Sequence, residues 1–128
     1  MSSAYVDSSS LVAIAFGEPG SAQLVERLER YDELFSSALL EAELRAALAR
    51  EGVADDAQLL HAISWVLPQR ALSPEITRVL SAGYLRGADL WHLACALFLA
   101  QTPRDLSFVS VDRRQVRVAR ALGFGAEP

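Results

Sequence analysis

Short apolar runs with strand character, "AYVD" at 4–7, "ELFSS" at 33–37 and "LSFVSVD" at 106–112, are separated by longer stretches with helical character. Antiparallel neighbours can be joined by a tight turn, whereas strands separated by helices return in the same direction. The alternation therefore predicts crossover units on a mainly parallel sheet. The expected class is α/β, and 128 residues suit a single domain, 1–128, that buries roughly two thirds of the surface its unfolded chain exposes.

Between the strands, the pattern predicts a helix over about Ser9–Phe16 that "GEPGS" breaks, and an amphipathic helix in "SAQLVERLERY", where Leu24 and Leu28 stand four apart among charges. Residues Ala38–Arg50, "ALLEAELRAALAR", are nearly all strong helix formers. A further helix is expected over about Asp55–Leu67, ended by Pro68, with "QRALS" at 69–73 as a short third strand. Ser73 reads as an N-cap with Pro74 at the first helical position. "GADLWHLACALFLA" at 87–100 is apolar nearly all round, the mark of a buried helix, and "RRQVRVARAL" at 113–122 is the closing helix, stopped by Gly123.

All twelve basic residues are arginine. With no lysine, a Walker-type phosphate loop and Schiff-base chemistry both lack their amine. A net charge of −4 argues against a broad basic surface for nonspecific duplex binding, while leaving local arginine clusters open. No apolar run approaches the ~20 residues of a membrane span, and no basic segment followed by a long apolar one opens the chain, so a soluble cytoplasmic protein is expected. The single cysteine, Cys95, has no partner for a disulfide and reads as a small buried hydrophobe.

Four acids stand in informative contexts. Asp7 ends the first predicted strand and Asp112 the last, and the carboxyl ends of parallel strands line the crevice where ligands bind. Glu43 shares its helical face with Leu39, Leu40 and Ala47, whereas Glu41 points roughly 160° away and precedes Arg45 by four residues, the favourable order for an exposed pair. Asp89 shares a face with Leu93, Ala96 and Ala100, in the first turn of its helix. Each has a structural reading of its own: Asp7 and Asp89 as caps, Asp112 with Gln115 as a capping box, Glu43 paired with a core arginine. Jointly they favour a metal site. Isolated buried carboxylates are strongly disfavoured, and hard cations such as Mg²⁺ or Mn²⁺ prefer oxygen ligands and can activate water against a phosphodiester.

Taken in order, "YVDSSSLVAIAF", "SSALLEAELRAAL", "GADLWHLACAL" and "FVSVDRRQVRVARALGF" resemble the successive motifs of PIN-domain ribonucleases, in particular the VapC-type toxins of bacterial toxin–antitoxin pairs. The similarity spans nearly the whole chain. It implies an α/β/α sandwich on a parallel sheet, with Asp7, Glu43, Asp89 and Asp112 as the catalytic, metal-holding acids. Asp89 falls where the family often has Asp-x-x-His, here "DLWH", and Ser110 takes the hydroxyl position before Asp112. The resemblance further implies Mg²⁺ or Mn²⁺ as cofactor and cleavage of single-stranded regions in structured RNA such as tRNA or rRNA, leaving 5′-phosphate and 3′-hydroxyl ends. It also implies a homodimer and a cognate antitoxin whose C-terminal segment enters the site.

Substrate contacts are expected from Ser110 and from arginines. Arg113, Arg117 and Arg120 fall within roughly 60° on the last helix, a stripe starting beside Asp112, and Arg86 lies just before Asp89. His92 is read as hydrogen-bonded scaffolding rather than a ligand, His61 as surface or core, and Trp65 and Trp91 as packing or interface residues. Two competing readings remain at this level. A phosphoacceptor enzyme is disfavoured because Ser9 stands where a haloacid-dehalogenase-type phosphatase needs a second Asp, and a receiver domain because lysine is missing. The other is a noncatalytic binding module of the same fold, against which stands the retention of all four acids.

Overall fold

Residues Ser3–Val6 (β1) alternate between two cores, Ala4 and Val6 facing one side of the sheet and Tyr5 the other, as the two-residue period of a strand dictates. Glu33–Ser37 (β2) runs parallel to β1 with Ala4 opposite Leu34, and Ile63–Val66 (β3) runs parallel to β2 with Leu34 opposite Ile63. Ser107–Val109 (β4) returns to the free side of β1, parallel again, with Tyr5 opposite Phe108. The sheet order is β3-β2-β1-β4. This computed structural model describes residues 2–55 and 57–126.

Helices Ser8–Ala15 (α1), Ser21–Glu29 (α2) and Ala38–Arg50 (α3) cover one face, where Leu11, Leu28, Leu40, Leu44 and Leu48 pack with Ala4, Val6 and Val109. Helices Ser73–Ala82 (α4), Gly87–Leu99 (α5) and Arg113–Leu122 (α6) cover the other, packing Val79, Leu93 and Val118 against Tyr5 and Phe108. The result is the expected α/β/α sandwich. Its topology decides where a site can form: the chain moves outward from β1 to β2 and β3, then crosses back to the other flank of β1. The strand order reverses there, and a crevice opens beyond the carboxyl ends of β1 and β4. Asp7 follows β1 directly, and Ser110 follows β4.

Three sequence expectations need correcting. The helix expected over Asp55–Leu67 is a single 3₁₀ turn, Ala57–Leu60, followed by β3, and Asp56 within it lies outside the described residues. "QRALS" is not a strand, since that role is taken by "ISWV". As an edge strand, β3 buries only its end residues, Ile63 and Val66, so it carries no clean alternation. Ser73 opens α4 rather than capping it, with Leu72 at the cap position.

Other expectations agree. Gly123 ends α6 with φ of 104°, the left-handed conformation that glycine adopts without a Cβ clash. Trp91 packs against the α4–α6 core and His61 is exposed. Cys95 is fully buried, and burial pushes its thiol up to about 12, which leaves it protonated and unreactive. No described helix is long and apolar enough to cross a membrane.

Gly83, at the end of α4, marks a close approach. A Cβ there would lie 2.8 Å from Val118 Cγ2 on α6, and valine is stiff at χ1. Gly83→Ala is therefore expected to destabilise the fold by ~1–3 kcal/mol through overpacking, read as a lowered midpoint in urea unfolding with an unchanged slope.

Candidate functional site

The serines after Asp7 explain how its carboxylate is held. Asp7 is the N-cap of α1 and only 2% exposed. Its Oδ2 accepts from the Ser9 amide at 3.1 Å and from the Ser9 hydroxyl, with Ser110 Oγ 3.3 Å away. On the other oxygen, Gln115 Nε2 donates to Oδ1 at 3.4 Å, with His92 Nε2 3.7 Å away. The capping interpretation of Asp7 is thus correct, and the cap accounts for one of its two oxygens.

Glu43 projects from α3 into the same region, and Ser8 Oγ donates to its Oε1 at 2.6 Å while His92 Nε2 lies 3.0 Å from that oxygen. The imidazole hydrogen bond, aided by Ser8 and opposed by burial, holds its carboxyl below the usual carboxylate value. Glu41, by contrast, pairs with Arg45 at 3.1 Å on the outer face, as its angle requires.

His92 is fully buried on α5 and joins the two sheet faces. Tyr5 Oη accepts from the Ser37 amide at 3.1 Å and lies 2.8 Å from His92 Nδ1. The phenol's one hydrogen then goes to Nδ1, which places the ring hydrogen on Nε2, toward Glu43. Both nitrogens are engaged, so His92 serves as scaffolding.

Asp89 differs from the others. It sits half-buried in the first turn of α5, and among the described residues no donor reaches its carboxylate. Burial and then the charges of Asp7, Asp112 and Glu43 hold its carboxyl above the ordinary value. Asp89 borders one cavity with Asp112, and Gln115 bridges the Asp89 carbonyl to Asp7. Asp112 lies three residues beyond β4 rather than at its end, and its Oδ1 caps α6 by accepting from the amides of Arg114 and Gln115 at 2.9 and 3.2 Å. The capping box is only half formed. Gln115 turns away from Asp112 to accept from Ser110 Oγ at 2.7 Å and to donate to Asp7 and the Asp89 carbonyl.

Ser110 is 4% exposed and faces the protein: besides Gln115 and Asp7, it accepts from the Asp112 amide at 3.0 Å. The expected arginine stripe divides. Arg113 borders a cleft beside α2, Arg117 is exposed, and Arg120 donates to the Ala126 carbonyl at 2.8 Å. Arg86 lines a cavity of about 350 Å³ together with Asp89, Asp112 and Arg114. Ser8, Ser9, Tyr5 and Arg114 carried no sequence signal of this role.

The donor set is all hard oxygen, which fits Mg²⁺ or Mn²⁺ and not a soft metal. Among the described residues no three acidic, histidine or cysteine side chains close on one point. Such a combination of switch-point location, oxygen donors and flanking arginines can bind a cation and a phosphodiester side by side.

The PIN domain model matches residues 4–121. The chain belongs to the PIN domain family. No curated protein and no solved structure gave a match. PIN domains have a nuclease-type fold and are generally metal-dependent nucleases. In this PIN domain, Asp7 and Glu43 both approach His92, and Asp89 and Asp112 border one cavity.

Proposed function

We propose that this PIN domain is a VapC-type toxin, a Mg²⁺- or Mn²⁺-dependent endoribonuclease. Its substrates are single-stranded regions of structured RNA such as tRNA or rRNA, and a cognate antitoxin holds the homodimeric enzyme inactive. The observation that carries the reading is Asp89. A half-buried carboxylate without a donor, beside three other acids, is a site that repels itself until a cation joins it.

Asp7, Glu43, Asp89 and Asp112 are the residues that would hold the metal. Bound there, a divalent cation supplies a lowered pKa for water and neutralises charge on the phosphate. The protein's own part is orientation. Ser9, Ser110 and Gln115 fix Asp7, while Ser8 and His92 fix Glu43 in its ionised form. Asp112 gives Oδ1 to α6, and Oδ2 has no donor among the described residues. Arg86 and Arg114, bordering Asp89 and Asp112, are placed to engage phosphate oxygens that the acids alone would repel.

The test is incubation of partner-free protein with tRNA and rRNA in Mn²⁺, beside Asp7→Asn. The expected result is discrete fragments with 5′-phosphate ends from the wild type alone. No cleavage above the Asp7→Asn control would instead make the domain a noncatalytic binding module.

A further inference from the structure

We propose that the cleft between α2 and the start of α6 is an RNA-phosphate subsite built on Arg27 and Arg30, which seats the strand beside the scissile bond. The inference rests on the nuclease reading above and adds a substrate site to it.

The cleft has a volume of about 410 Å³, enough for a bound ligand group. Arg27, Arg30 and Arg113 line it, with Glu18 as its one acid. Arg27 and Arg30 stand at i and i+3, so their side chains share one face of α2 and its last turn. Among the described residues none of the three guanidinium groups has a carboxylate within ion-pair distance. Arg45, Arg50 and Arg70 all do. On a chain of net charge −4, three arginines against one acid make the cleft a local excess of positive charge.

Its position selects the ligand. Ser110 lines the cleft and its Oγ lies 3.3 Å from Asp7 Oδ2, so the cleft begins beside the acids. A strand with one phosphate at the acids places its neighbouring phosphates in the cleft, where the planar guanidinium fork matches phosphate geometry. Arg27 is half-buried, which limits the freedom it loses on binding.

Binding of a fluorescent single-stranded oligoribonucleotide, followed by anisotropy across a salt series in Ca²⁺, tests the subsite. Arg27→Gln and Arg30→Gln are each expected to weaken binding several-fold and to reduce the salt slope by about 0.7. Arg27→Lys, which keeps the charge, retains most of the slope. Arg50→Gln, at an exposed arginine paired with Glu51, leaves binding unchanged, and all four variants keep the wild-type thermal shift with Mn²⁺. Wild-type binding with unchanged affinity and slope in both Gln variants would overturn the subsite and leave the nuclease reading standing; a cleft that seats an acidic protein segment gives that same result. A wild type that binds no RNA even at low salt would overturn both.

Discussion

Asp89→Asn is expected to stabilise the metal-free protein while removing its activity. The two effects have one cause. Burial and the charges of Asp7, Asp112 and Glu43 hold the Asp89 carboxyl above its ordinary value, so the folded state keeps that proton to a higher pH than the unfolded chain does. Stability is therefore lost as pH rises from the unfolded value of about 3.9 through the folded one, and the deficit persists at neutral pH. Asparagine abolishes the deficit. Because the side chain is only half-buried, solvent screening limits the gain to below about 1 kcal/mol, or a few degrees in Tm. Glu43 has the opposite sign, since His92 and Ser8 lower its value. Its contribution is present above the unfolded pKa and disappears as pH falls through the folded one. Thermal melts in chelator from pH 3 to 8 should show the variant pulling ahead of wild type as pH rises. RNA cleavage should fall by more than the roughly 10- to 100-fold that removal of an outer partner of a metal ligand produces. A variant less stable than wild type at pH 7 would contradict this picture of a self-repelling site, in which stability is lower where function needs charge.

The second large effect is on folding. His92→Ala removes a fully buried ring whose nitrogens lie 2.8 Å from Tyr5 Oη, 2.8 Å from Ser8 Oγ and 3.0 Å from Glu43 Oε1. It leaves a cavity and a buried phenol that keeps the Ser37 amide but loses its contact with Nδ1, a phenol that burial holds well above its ordinary pKa. The combined expectation is a loss of ~3–5 kcal/mol, or more than ~10 °C in Tm for a chain of this size. Tyr5→Phe separates positioning from packing. It keeps the ring stacked on Phe108 at 5.5 Å between centroids and removes the group that accepts from Ser37 and fixes the imidazole tautomer. A milder loss of ~1–3 kcal/mol is expected, together with a fall in cleavage rate in the still-folded variant. Unchanged cleavage by folded Tyr5→Phe would show that the imidazole orientation does not matter to the site.

Three of the acids carry a local signal in the sequence, whereas Asp112 was expected to end a strand that stops three residues earlier. Asp7 breaks an apolar run, Glu43 lies at the wrong angle for a solvent-facing acid, and Asp89 sits in a mostly apolar helix. The groups that hold the acids were not legible. Ser8 and Glu43 are 35 residues apart, and Gln115 and Asp7 are 108 apart. Such contacts exist only once the crossovers bring β1, α3, α5 and α6 together. Gln115 even misled, since its spacing from Asp112 fits a capping box while its side chain serves Asp7. β3 was missed for a related reason. An edge strand with Trp65 left 36% exposed lacks the buried alternation that identifies a strand, and only its pairing with β2 makes it one.

Calorimetric titration of Mn²⁺ into the metal-free protein, with Asp89→Asn alongside, bears most directly on whether these acids share a cation. Saturable binding by the wild type, with proton release that grows as pH falls toward the range where Asp89 titrates, and loss of that binding in Asp89→Asn, is the predicted result. Equal Mn²⁺ binding by both proteins, or none by either, would contradict it.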